Sequence, residues 1–255
     1  MQEHSFIYVI WGIYPTENNF QDNKWFLRRQ KIDNDIKLYL ANPYSPKSVT
    51  YVYGLENYKR LTNLGLDCKL IDENPCPFDM VAEQYAARLY AWQAALQDFK
   101  SIVNLDFDTV TIKPIPENFW QVMDEGEPVK ATLYQYFRKR VERPGDERKV
   151  SSASMTYIRG KEHADNIIQT WKDMGKPWKE EYPFSKYIDS FSGGWKGVEN
   201  YKKHDIPYYE LQKINGIVKE NKNLVFEHFN YHGVAELLGD GYGVKERIDK
   251  LEKNK

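Results

Sequence analysis

Two hydrophobic patterns alternate along the first half of the chain. Short continuous apolar runs, rich in aromatic and β-branched residues, occupy Phe6–Gly12 and Ser48–Gly54, and such runs are typical of strands buried on both faces. Before a third run, "LDCKLID", the segment "LENYKRLTNLG" predicts a short helix that ends at Gly65. Strand, helix and strand in close order predict a right-handed crossover and therefore a parallel α/β sheet.

A longer amphipathic helix is predicted from Asp79 to Phe99, with Asp79 as its N-cap after the helix breaker Pro77. Its apolar positions recur at steps of three and four residues, namely Val81, Tyr85, Leu89, Trp92, Leu96 and Phe99. The helix leads into "SIVNLDFD", an apolar run that ends in Asp106 and Asp108. These two aspartates therefore lie at the carboxyl end of a predicted strand, where open α/β sheets bind their ligands.

The second half of the chain has a looser pattern. It contains a predicted strand, "SSASMTYIRG", a helix, "EHADNIIQTWKDMG", a glycine-rich turn at Ser190–Gly197, and a late strand at Leu224–Gly233. We predict a single α/β domain with a mostly parallel central sheet flanked by helices. We divide it into residues 1–115, which end in the segment after the paired aspartates, residues 116–235, and a charged helix or tail at 236–255.

Composition narrows the classes of partner. Lys and Arg total 36 against 37 Asp and Glu, and this near-neutral balance argues against general affinity for nucleic acid or anionic membranes. The dense basic segment Tyr136–Lys149 is the local exception, and it would contact phosphates if DNA were a substrate. The 19 Tyr and 7 Trp suit sugar rings and nucleobases, or an aromatic core.

Cysteine content and hydropathy indicate the compartment. Cys68 and Cys76 are too few for a metal cluster by themselves, and a single disulfide between them stays open. The first apolar run follows Glu3 without a basic leader, and no run approaches the roughly 20 apolar residues of a spanning helix. A cytoplasmic protein without a transmembrane segment is predicted.

The paired aspartates suggest a metal site. In an extended segment Asp106 and Asp108 point to the same side, with Phe107 on the other side. Carboxylates are ligands for Mg²⁺ or Mn²⁺, and such a metal neutralises a diphosphate and improves it as a leaving group. The alternative interpretation is structural: one aspartate caps the following turn while the other pairs with an arginine.

These motifs resemble those of the nucleotide-sugar-dependent glycosyltransferases of the GT-A fold, particularly the glycogenin-type and related enzymes. "IVNLDFDTV" is similar to their metal-binding signature, and "AARLYAWQAAL" to the helix whose basic residue, here Arg88, reaches the donor. "SSASMTYIRG" stands where the family has an Asn-Ser-Gly strand beside the sugar, but this chain has Ser151, Ser152 and Ser154 instead.

The resemblance implies a metal and a donor site. Asp106, Asp108 and the late His228 would hold Mn²⁺ or Mg²⁺, with His232 as the fallback ligand. The remaining donor contacts, on the nucleobase, the phosphates and the sugar, would come from Trp11, Tyr14, Arg88, Ser152, Ser154, Gly193 and Gly194. The glycines would allow close approach of the backbone to the substrate, or form a tight turn.

The resemblance also implies the chemistry, with residues 1–115 as the nucleotide-binding half and residues 116–235 as the acceptor and catalytic half. Asp189 is the candidate carboxylate beside the reacting sugar carbon, and Glu199 is its rival for that role. The expected activity is transfer of a hexose or pentose from a nucleoside diphosphate donor, UDP-sugar favoured, to a glycan, a protein or a modified DNA base. Two alternatives stay open: a haloacid-dehalogenase-like phosphatase with Asp106 as nucleophile, and an inactive module that binds nucleotide or carbohydrate.

Overall fold

A computed structural model describes residues 2–11, 35–71, 87–107, 109–111, 113–135, 149–176, 181–188, 190, 208–210 and 225–228 of the 255-residue chain. For residues 131–135, 149–154, 181, 208–210 and 227–228 the description covers the backbone alone.

A six-stranded sheet forms the centre of the molecule, in the order β3-β2-β1-β4-β7-β6. Its strands are β1 (Gln2–Ile10), β2 (Ser48–Tyr53), β3 (Cys68–Ile71), β4 (Phe99–Leu105), β6 (Val129–Gln135) and β7 (Lys149–Arg159). Strands β3, β2, β1 and β4 are parallel, and β7 is antiparallel to both β4 and β6. Strand β6 thus has the direction of β4, so the predicted mostly parallel sheet is confirmed.

Helices cover both faces of this sheet. Residues 35–41 are helical (α1), followed by α2 (Leu55–Asn63), α3 (Ala87–Asp98), α4 (Phe119–Asp124), α5 (Lys161–Asp173) and α6 (Glu181–Ile188). Helices α3, α5 and α6 bury their apolar side chains against one face, in a cluster centred on Trp92, Trp171 and Phe184. Helices α1, α2 and α4 contribute to the clusters on the other face. The layered α/β arrangement is therefore as predicted.

A small second sheet lies beside the first, in the order β5-β9-β8. Its strands are β5 (Thr109–Thr111), β8 (Tyr208–Glu210) and β9 (Phe226–His228). Strand β9 is antiparallel to β5 and parallel to β8. Because β5 begins shortly after β4 ends, this sheet brings the late part of the chain to the carboxyl edge of the central sheet.

Several predicted boundaries differ from the structure. Strand β1 runs from Gln2 to Ile10. Its polar first residues belong to the strand because they pair with β4, where Gln2 lies opposite Phe99. Phe99, predicted as helical, is instead the first residue of β4. The predicted helix from Leu55 is confirmed, and Gly65 follows it with a φ of 98°, a conformation that favours glycine.

Later segments were only partly predicted. The strand expected at "SSASMTYIRG" is longer, because β7 also pairs with β6 over its first residues. The late strand covers Phe226–His228, and residues 229–233 lie outside the described part. Cys68 is a free thiol in β3, whereas Cys76 lies outside the described residues. Among the helices that the structure describes, none is long and apolar enough to cross a membrane.

A buried lysine ties α4 to the sheet. Lys130, 2% exposed, donates hydrogen bonds from Nζ to the carbonyl oxygens of Met123 (2.6 Å) and Glu125 at the end of the helix. A cation there satisfies carbonyl groups that a helix end leaves without partners. Burial, together with the nearby Arg159, lowers the pKa of Lys130 to about 8.

Lys130 therefore predicts an unusual dependence of stability on pH. Between its folded pKa of about 8 and its ordinary value of 10.5, the unfolded chain binds the proton that the folded chain has lost. The free energy of unfolding of wild type, relative to Lys130→Met, should then rise by about 1–2 kcal/mol from pH 8 to pH 10. Urea unfolding at a series of pH values measures this difference. Replacement of the exposed Lys161 by Met serves as control, and a constant difference for Lys130→Met would contradict the prediction.

Candidate functional site

An ion pair joins the start of α3 to the end of β4. Arg88 lies in the first turn of α3 and is only 5% exposed, and its Nη2 donates to Oδ1 of Asp106 at 2.7 Å. Asp106 directly follows β4, so its carboxylate lies at the carboxyl edge of the central sheet. The pair joins a planar donor to a carboxylate in a largely desolvated place, where the loss of either partner is costly.

Trp11 completes this cluster. It follows the last residue of β1, the strand next to β4, and its ring centroid lies 4.9 Å from Cζ of Arg88. The face of an indole attracts a guanidinium group, so the ring helps to hold the arginine in place. Trp11, Arg88 and Asp106, which the sequence proposed as donor-binding residues, thus lie together.

Phe107 points to the opposite side of the chain from Asp106, as expected. Its ring stacks on Tyr8 with centroids 4.2 Å apart and planes at 15°, and Tyr39 packs edge-on at 6.0 Å. Tyr39 is itself fixed, because its hydroxyl donates to the carbonyl of Pro46 at 2.7 Å. Burial raises the pKa of Tyr8, and the charges of Tyr39 and Asp106 raise it further, so this phenol stays neutral. An aromatic anchor therefore holds the middle of the aspartate segment.

The second sheet brings the backbone of His228 near the segment that contains Asp106. In the β5–β9 ladder His228 lies opposite Thr109, and such residues have Cα atoms about 4.5–5.5 Å apart. The amide of Thr109 donates to the carbonyl of Asp106 at 2.8 Å, which closes a tight turn. The backbone of His228 is thus close to the segment that contains Asp106, although the two are far apart in sequence.

The serines of β7 lie at the same edge. Met155 is opposite Leu105 in the β4–β7 ladder, so Ser154 comes at the level of Asp106. Between β6 and β7 the register shifts beside this point, from Ala131 opposite Thr156 to Thr132 opposite Ser152. Irregular pairing of this kind often occurs next to active sites. The roles of Ser152 and Ser154 stay predictions.

The other predicted site residues lie outside the described part of the chain. They are Tyr14, Asp108, Asp189, Gly193, Gly194, Glu199 and the fallback ligand His232. Helix α6 ends at Ile188, immediately before Asp189.

Among the side chains that the structure describes, no group of three His, Cys, Asp or Glu has the arrangement of a metal site. The residues nonetheless suit a hard divalent cation, since Asp106 supplies a carboxylate and the register brings the backbone of His228 close to its segment. Asp106, Asp108 and His228 therefore stay the predicted ligands.

Some residues around the site escaped sequence analysis. Tyr8, Asn104 and Thr156 lie in predicted strands but were not predicted as residues of the site, and Tyr39 lies in no predicted element. Asn104 carried a signal, because it is the polar residue in an otherwise apolar run that ends at the aspartates. The contacts of the two tyrosines join three separate segments, so no local pattern reveals them.

Comparison with solved structures defines the fold. The whole chain (100%) aligns with 64% of GlyE, a glycosyltransferase of Streptococcus pneumoniae TIGR4, at a TM-score of 0.51 and 12% identity. Mouse xyloside xylosyltransferase 1, in its apo form, aligns with 89% of this chain over 98% of its own, at a TM-score of 0.43 and 11% identity. The amino-acid sequence matches no protein-family model and no curated protein. The chain therefore has a GT-A-like fold, which confirms the fold predicted from the resemblance.

The ion pair predicts a measurable coupling. Arg88→Met and Asp106→Asn should each destabilise the protein by about 1–3 kcal/mol, because each leaves a polar partner in a largely buried place. The free energy of unfolding that the double variant loses should be smaller than the sum of the two single losses, by at least about 1 kcal/mol. Urea unfolding of the four proteins tests this. Arg88→Lys, which keeps the charge but not the planar group over Trp11, should fall between wild type and Arg88→Met. Additive effects would show that the pair contributes nothing.

The aromatic anchor predicts a graded loss of stability. Phe107→Ala removes the ring between Tyr8 and Tyr39 and should lower the free energy of unfolding by about 1–3 kcal/mol. Phe107→Leu keeps most of the apolar volume, so its free energy of unfolding should fall by only about 0.5–1.5 kcal/mol. This is roughly what the stacked geometry of the rings contributes. Thermal and urea unfolding measure both changes. Equal stability of all three proteins would refute the anchor.

Proposed function

We propose that the protein is a metal-dependent glycosyltransferase that moves a sugar from a nucleoside diphosphate donor, a UDP-sugar being favoured, to an acceptor hydroxyl or similar group. The observation that carries the proposal is the cluster of Trp11, Arg88 and Asp106 at the carboxyl edge of the central sheet. This is the edge at which open α/β sheets bind nucleotides. The GT-A-like fold, shared with a known glycosyltransferase, supports the same class.

The described residues have clear tasks in such a reaction. Arg88 presents a fixed cation for the phosphates or the sugar of the donor, and Trp11 restricts its position. Asp106, with Asp108 and His228, would hold Mn²⁺ or Mg²⁺, which supplies positive charge for the departing diphosphate. The aromatic anchor of Phe107 keeps the aspartate segment in one conformation, so little ordering is needed when donor binds.

The transfer step exchanges one bond at the anomeric carbon of the sugar for another. An acceptor oxygen forms a bond to the anomeric carbon while the bond from that carbon to the β-phosphate oxygen breaks. The nucleoside diphosphate leaves with the electron pair, and the proton of the acceptor passes to a base. Asp189 is the proposed carboxylate beside the anomeric carbon, as base or as stabiliser of positive charge, and Glu199 is the alternative. The acceptor is a glycan, a protein or a modified DNA base, and the sugar a hexose or a pentose.

A ligand screen by thermal unfolding tests the proposal. UDP and GDP are added with and without Mn²⁺, to wild type and to the double variant Asp106→Asn, Asp108→Asn. One of the two nucleotides, at roughly 100 times its Kd, should raise the unfolding temperature of wild type by about 5–10 °C. This shift should occur only when Mn²⁺ is also present. The double variant should lose this response, because the bridge between protein and diphosphate is gone. Glu162→Gln, an exposed carboxylate at the opposite edge of the sheet, should keep it.

The other outcomes separate the alternatives. No response to any nucleotide under any metal would exclude the transferase. A phosphoryl-enzyme that forms in wild type and is lost in Asp106→Asn would then identify a phosphatase. Metal-dependent binding of a sugar nucleotide, without hydrolysis or transfer to any acceptor, would identify an inactive binding module.

A further inference from the structure

Three buried side chains beneath the Arg88–Asp106 pair contain polar atoms without a partner. These are Oδ1 and Nδ2 of Asn104, Oγ1 of Thr156 and Nε1 of Trp92, and none has a hydrogen-bond partner in the part of the chain that the structure describes. The residues are 1%, 0% and 1% exposed, respectively. A buried polar group without a partner costs about 1–3 kcal/mol, so three such residues in one region need a physical reason.

The three residues face the same layer. Asn104 of β4 and Thr156 of β7 are direct partners in the antiparallel ladder. Side chains alternate along a strand, so Asn104 shares its face with Ile102, and Thr156 shares its face with Ile158. Both isoleucines belong to the cluster that contains Trp92. The unpartnered atoms therefore lie between the sheet and α3, on the same side as Arg88.

This layer lies directly below the candidate site. Asn104 precedes Asp106 by two residues on an extended chain, a step of about 7 Å on the same face. Trp92 follows Arg88 by one helical turn, a step of about 6 Å in the same direction. The β6–β7 register shift adjoins the layer, because Ala131 opposite Thr156 is the last pair before the ladder breaks.

The chemistry of these atoms selects one class of ligand. Indole N–H donates, the amide of Asn104 donates and accepts, and the hydroxyl of Thr156 does both. None of them is charged, so the set lacks the charge that most favours a metal ion or a phosphate. A sugar hydroxyl also donates and accepts, and it suits such a neutral set. Charge is supplied one layer above, by Arg88 and Asp106.

We propose that Asn104, Thr156 and Trp92 form a buried subsite that binds hydroxyl groups of the transferred sugar and thereby selects the donor. This inference rests on the proposed transferase function and specifies how its donor is recognised. The Arg88–Asp106 pair lies above the layer. It stays formed when donor binds, because a guanidinium group has five N–H donors and contacts the donor with those that Asp106 does not use.

Apolar variants of similar size separate this role from a structural one. Thr156→Val removes the hydroxyl while it keeps the shape, and Asn104→Leu removes the amide. If the groups serve the sugar, both variants should unfold at the wild-type temperature or above it without ligand, because they remove unpartnered polar atoms. They should bind UDP or GDP, whichever binds wild type, with unchanged Kd. Their affinity and kcat/KM for hydrolysis of the matching sugar nucleotide should fall at least tenfold.

The sugar nucleotides tested are UDP-glucose, UDP-galactose, UDP-xylose and GDP-mannose, each with Mn²⁺. Thr50→Val, a buried threonine of β2, is the matched control and should change neither nucleotide nor sugar-nucleotide binding. If Asn104→Leu does not fold, Thr156→Val alone decides the question.

The contrary outcomes are distinct. Lower unfolding temperatures of the variants, with unchanged affinity and kcat/KM for sugar nucleotides, would show that the atoms bind a structural water. That result would overturn the subsite alone. Unchanged stability and unchanged sugar-nucleotide kinetics would overturn it as well. Absence of any nucleotide binding in wild type would overturn both the subsite and the transferase.

Discussion

The ion pair between Arg88 and Asp106 is the contact on which the geometry of the site depends. Helix α3 and strand β4 are joined without a loop, since the helix ends at Asp98 and the strand begins at Phe99. The covalent junction fixes one end of this helix–strand unit, and the ion pair fixes the other end, where the site lies. The pair limits displacement of the two elements, because separating two opposite charges in a partly buried place costs free energy. The helix, the strand and the first aspartate therefore hold one relative position.

Strand β4 divides structural and chemical tasks between its two faces. Val103, Leu105 and Phe107 point to the side of the aromatic anchor and the apolar cluster around it, where they stabilise the strand by burial. Asn104 and Asp106 point to the side of α3, where polar groups gather beneath and around Arg88. Apolar burial on one face thus offsets the free energy that the buried polar atoms on the other face cost. A chain with this alternation can position reactive groups without a loss of order.

Much of the fold was readable from local pattern. The continuous apolar runs predicted β1 and β2, the steps of three and four predicted α3, and the order of these elements predicted a mostly parallel sheet. Asp106 was placed correctly at the end of a strand, and Phe107 on the side opposite to it. Boundaries were less accurate, as at Gln2 and Phe99, because strand ends are set by pairing with distant segments. Helix α1 and strand β6 were not predicted at all.

The sequence by itself determined the elements and the candidate chemistry, because side-chain periodicity and residue type are local properties. Only the tertiary structure decided the direction of β7 and the pairing of the backbone at His228 with Thr109. It also selected Asp106, rather than another acid, as the partner of Arg88. These contacts join residues remote in sequence, and each depends on which surfaces become buried together. No local pattern contains that information, because the free energy of such contacts arises only when the whole core is assembled.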